Sequence, residues 1–129
     1  MAKVLGVGGV FFKANDPTTL SKWYAKTLGI RMSAYGATFS PGNMPEEGYT
    51  AFSIFNKDTE YFKPSEQTYM INFVVDDLFA MLLNIEKAGG KICGKPEEYD
   101  YGKFGWFLDP EGNKVELWQP IKATLTDDG

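Results

Sequence analysis

Histidine is missing from all 129 residues of the chain. Histidine is the usual general base near neutral pH and the commonest metal ligand. Its absence excludes serine–histidine and cysteine–histidine nucleophilic pairs and every metal site built on two imidazoles. Acid/base work would fall to Asp, Glu, Lys, Tyr or Cys. Cysteine is almost as scarce: Cys93 is the only one. That excludes an internal disulfide and a cysteine-rich metal site, and the reducing cytoplasm is the expected setting. No apolar run approaches the roughly 20 residues that cross a bilayer. The opening "MAKVLGVGGVFFKAND" carries Lys13 and Asp16 early and no small-residue cleavage site follows it, so no signal peptide is expected. An excess of basic residues is also lacking. Thirteen Lys and Arg face 17 Asp and Glu, a net charge of −4. Phosphate binding needs a basic face, so nucleic acid is not expected as a partner.

What is present suits one compact domain: 43% apolar residues, 16% aromatic and 23% charged. "VLGVGGVFFKA" (4–14) has the composition of a strand. Asp16 then offers an N-cap and Pro17 the first helical position. Leu20, Trp23, Tyr24, Thr27 and Leu28 follow the spacing of one helix face, and Gly29 ends it. "IRMSAYGATFS" reads as two short strands, "PGNMPEEG" as a loop and "YTAFSIFN" as another strand. The pattern then restarts. "TYMINFVV" is a strand, Asp76 or Asp77 caps a second helix, and Leu78, Met81, Leu82 and Ile85 line one face before Gly89 and Gly90. "KICGKPEEY", "KFGWFLD" and "NKVELWQ" are three further strands. Asp16 precedes Gly29 by 13 positions, as Asp76 precedes Gly89. A repeat of this length suggests two equivalent units packed together. The expected organisation is one domain: a first module at about 4–57, a polar connector at about 58–67, a second module at about 68–120 and a frayed tail at 121–129. Tyr61 and Phe62 stand out within the connector and are expected to pack onto something.

With "KANDPTTLSKWYAKTLGI" opening the first unit, "VVDDLFAMLLNIEKAGGKI" opening the second and "DPEGNKVELWQP" closing the chain, the sequence resembles the vicinal oxygen chelate superfamily. This is the glyoxalase, bleomycin-resistance and dioxygenase group, and the likeness is greatest to its small bacterial glyoxalase-like members of unassigned function. The resemblance spans about residues 4–120. It implies an α+β fold in which tandem βαβββ modules form a cupped, incomplete mixed β-barrel with helices outside. It also implies a site enclosed within one chain or across a homodimer, and in some members one divalent ion held there.

The ligand positions that the resemblance implies fall on Gly9, Met70 and Glu116, with a fourth within "YTAFSIFN". Gly9 has no side chain, and the Met70 thioether suits hard or borderline ions poorly. The fourth stretch offers no carboxylate or imidazole. Only Glu116 matches, whereas a catalytic ion needs about three protein ligands. No cofactor is therefore expected.

Strand alternation assigns Gly9, Phe11, Met70, Asn72, Trp106, Glu116 and Trp118 to the cup, and the resemblance implies that Tyr101 lies on a loop near its mouth. This is the make-up of a small-molecule pocket. Aromatic faces beside a carboxylate suit a cationic or aromatic ligand, as in metal-free bleomycin-resistance relatives that sequester bulky cations. Glu116 is alternatively half of a buried pair with Lys114 or Lys13. Three functions follow. The first is metal-independent binding of a small molecule at Phe11, Met70, Asn72, Tyr101, Trp106 and Trp118. The second is a lyase or isomerase using Glu116, with or without a divalent metal. The third is an interaction module whose cup is occluded.

Overall fold

A computed structural model describes residues 2–121; the last eight residues of the tail lie outside the described residues. Helix α1 spans Pro17–Leu28, its first turn capped by Asp16, whose carboxylate accepts from the Thr19 backbone N–H and hydroxyl. Gly29 ends it with φ 72°, a left-handed conformation that glycine adopts without strain. A single turn of 3-10 helix follows at Pro41–Asn43. The second half of the chain then supplies β1 (Ile71–Val74), α2 (Leu78–Lys87), β2 (Lys91–Ile92), β3 (Glu97–Tyr99), β4 (Gly102–Leu108) and β5 (Lys114–Pro120). Asp77, not Asp76, caps α2, its side chain accepting from the Ala80 N–H.

These strands form one open sheet in the order β1–β5–β4–β2, with β3 also paired to β4. β1 runs parallel to β5, and β4 runs antiparallel to it. Alternation then sorts the side chains. Phe73, Phe107, Val115 and Leu117 point to the helices and build the core with Leu20, Tyr24, Leu28, Leu78, Leu82 and Ile85. Each such side chain taken out of water contributes roughly 1.5–3 kcal/mol. Asn72, Phe104, Trp106, Lys114, Glu116 and Trp118 point to the opposite face. Sheet and outer helices together form the α+β architecture of a cupped, incomplete barrel.

The first half behaves differently. Residues 4–14 and 49–56 carry no ladder, and 31–40 contribute only the Ser33–Gly36 bridge. Val4, Leu5, Phe11, Phe52 and Ile54 are all at least three-quarters exposed. Branched and aromatic residues favour an extended backbone, but a strand exists only against a neighbour, and the neighbour is set by tertiary packing.

Candidate functional site

Register builds the site. On β5, Glu116 lies opposite Trp106 of β4 on one side and Asn72 of β1 on the other. Both neighbours are donors. Asn72 Nδ2 donates to Glu116 Oε1 at 2.7 Å, and Trp106 Nε1 donates to Oε2 at 2.8 Å. A third donor arrives from outside the sheet: the Tyr61 hydroxyl donates to Oε2. Neither Lys114 nor Lys13 forms the ion pair considered above. The one ion pair among the described residues is Lys63–Glu60.

Lys114 does something else. Its Nζ donates to the Tyr61 carbonyl at 2.6 Å and stands 5.2 Å from the centre of the Tyr61 ring and 5.9 Å from that of Trp106. The two rings meet edge to face at 6.3 Å, and Phe55 stacks on Tyr61 at 5.7 Å. Burial, then the bond to Glu116, then the charge of Glu116 hold the Tyr61 phenol well above the ordinary tyrosine range. Tyr61 is therefore a proton donor here at any neutral pH.

A second aromatic group continues along the same face. Phe104 and Trp118, paired across β4 and β5, lie parallel with centres 6.2 Å apart. Tyr49 leans on Trp118 at 4.7 Å, and Tyr99 and Tyr101 stack on each other at 5.3 Å and meet Phe104 edge-on. Gly102 is required beside them, because a Cβ there would run into the Trp118 indole nitrogen. That indole N–H has no acceptor among the described residues.

Of the residues expected in the cup, Asn72, Trp106, Glu116 and Trp118 come together, with Tyr101 at the rim. Met70 is half-buried just before β1. Phe11 is 95% exposed and lies outside the cluster, and Gly9 is exposed, a Cβ there meeting only the Phe11 ring. Their segment has no sheet neighbour, so alternation assigns them no face within this chain. Sequence reasoning marked Tyr61 as out of place in a polar connector but did not connect it to Glu116. Phe55, Phe104 and the ring contacts of Lys114 carried no signal beyond strand alternation.

A divalent ion does not fit this donor set. Three N–H or O–H groups aim protons at Glu116, where an ion needs further lone pairs. Among the described residues, no three Asp, Glu, Cys or His side chains gather as a ligand group. Burial raises the Cys93 thiol against the pull of Lys114 and Lys91, so it is a poor nucleophile.

The "DPEGN" turn is a structural staple. Asp109, almost fully buried, accepts from the backbone N–H groups of Glu111 and Asn113, the Asn113 amide and the Tyr24 hydroxyl, all at 2.8–3.0 Å. Glu111 accepts from the backbone of Asn15 and Asp16. The turn thus fastens the start and the inner face of α1 to the end of β4.

A family model described as a glyoxalase-like domain matches residues 9–118. The chain belongs to this family. Solved structures share its fold at low identity. A protein of unknown function from Agrobacterium tumefaciens is 18% identical with a TM-score of 0.55, the match covering 92% of this chain and all of that one. TioX from Micromonospora is 17% identical with a TM-score of 0.53, over 84% and 93% of the two chains. A member of the glyoxalase/bleomycin resistance protein/dioxygenase superfamily from Sphaerobacter thermophilus is 20% identical with a TM-score of 0.50, over 82% and 90%. A search of curated proteins returns no match. No helix among the described residues is long and apolar enough to cross a membrane.

Proposed function

We propose that this glyoxalase-like protein binds a small aromatic or cationic organic molecule on the face built by Asn72, Trp106, Glu116 and Trp118, without a metal ion and without turning it over. The observation that carries the reading is the bonding of Glu116. Its two oxygens receive three neutral donors, which hold the carboxyl group in place against the Trp106 and Tyr61 rings. A proton-transfer enzyme would need that carboxylate free to reach substrate. Phe104 and Trp118 extend the aromatic face beside it, and Tyr101 stands at the rim.

The homodimer belongs to the same proposal. Residues 4–12 and 49–55 leave apolar side chains and unpaired backbone on the surface, a combination that a second strand covers. A second copy of this chain is the partner, and in that assembly Phe11 joins the binding surface beside Met70. The single thiol supports a cytoplasmic setting.

Calorimetric titration of chelator-treated protein with a panel of aromatic amines tests the reading. We expect saturable binding of at least one compound, unchanged by added zinc, nickel or iron. Binding that requires one of these ions would overturn it.

A further inference from the structure

Deepening that reading, we infer that the Trp106–Tyr61 pair is a cation site for an organic ammonium group, occupied in the free protein by the chain's own Lys114, which a ligand must evict.

The geometry carries this. The Lys114 Nζ lies within about 6 Å of both ring centres, the range in which an ammonium is attracted by an aromatic face. Trp106 is only 8% exposed, so its ring is covered, and Tyr61 and Lys114 are part of the cover. Glu116 lies on the same face of β5, two residues along, and holds both rings by hydrogen bonds. The cage therefore combines two aromatic faces, a nearby carboxylate and an ammonium already in place.

The occupant is held loosely. Among the described residues Lys114 has no carboxylate within ion-pair distance; its ties are the Tyr61 carbonyl and the two rings. A lysine stem is flexible and its ammonium is readily hydrated. Swinging into solvent leaves the rings and Glu116 as they are and uncovers a place of matching charge. Tyr61 belongs to a connector of local turns, Asn56–Thr59, Glu60–Lys63 and Phe62–Ser65, so it can adjust as the ligand enters.

Removing the competitor gives the test. Benzyltrimethylammonium and its neutral isostere neopentylbenzene are titrated into wild type, Lys114→Met, Lys114→Gln and Lys114→Arg, with tryptophan fluorescence as readout. The Met and Gln variants each abolish the charge, so either one serves if the other folds poorly. We expect both neutral variants to bind the ammonium about tenfold more tightly than wild type, the isostere to change little, and Lys114→Arg to show no gain. Unchanged or weaker ammonium binding in the neutral variants would overturn the inference. So would an equal gain for both probes, which would leave the aromatic pocket itself standing. If neither probe binds any of the four proteins, the inference and the pocket reading both fail.

Discussion

Two carboxylates near the end of the chain have different roles. Asp109 is enclosed by donors from its own turn and by Tyr24, and its work is to fasten α1. Glu116 is fastened by Asn72, Trp106 and Tyr61, and in the proposed site it sets a carboxyl group against an aromatic surface. The Tyr24 phenol makes the first role measurable. Burial, then the Asp109 charge and hydrogen bond, hold its pKa far above the ordinary value of 10.0. The sign follows from linkage. The unfolded chain loses this proton near pH 10 while the folded chain keeps it, so the contribution is complete below pH 10 and falls as pH rises above it. Urea unfolding from pH 8 to 11 should show stability declining above pH 10, and Tyr24→Phe should flatten that decline. The same substitution should cost about 1 kcal/mol at pH 8, the usual worth of a buried hydrogen bond. An identical decline in both proteins would mean that Tyr24 does not carry it.

At the scale of elements, local chemistry was easy to read where one segment decides the outcome. The cap and stop of α1, the buried stripe of each helix and the inward set Val115 and Leu117 all follow from spacing and short-range bonds. The second cap shows the margin: "DD" offers two candidates, and only backbone geometry selects Asp77. Asp77→Ala should therefore lower stability by about 1 kcal/mol, and Asp76→Ala should change it by less than about half of that. Equal losses, measured by thermal unfolding, would contradict the assignment. The N-terminal strands were legible as extended chain and not as sheet, because composition carries no information about which edge a strand meets. The Glu116 site was legible in part for the same reason. Asn72, Trp106 and Trp118 follow from alternation along the strands, whereas Tyr61 reaches Glu116 across 55 positions of sequence.

For the whole molecule, the two halves of the chain are unequally satisfied. The second half has a packed core between two helices and one sheet face. The first half places α1 on that core and leaves its extended segments uncovered. The proposed dimer answers this imbalance, and sedimentation should give twice the 14.4 kDa chain mass, with Phe11→Asp shifting the equilibrium toward monomer. A monomer at every concentration would remove the partner copy from the account.

The binding surface itself is tested most directly by the indole N–H signals of 15N-labelled protein. The chain has three tryptophans, so three signals report on it. Trp106 and Trp118 lie on the face proposed to bind ligand, whereas Trp23 packs against Phe107 on the helix side. Titration of chelator-treated protein with benzyltrimethylammonium should move the Trp106 and Trp118 signals and leave Trp23 in place. Movement of Trp23 alone, or movement of any signal only after a divalent metal is added, would contradict a metal-independent site on that face.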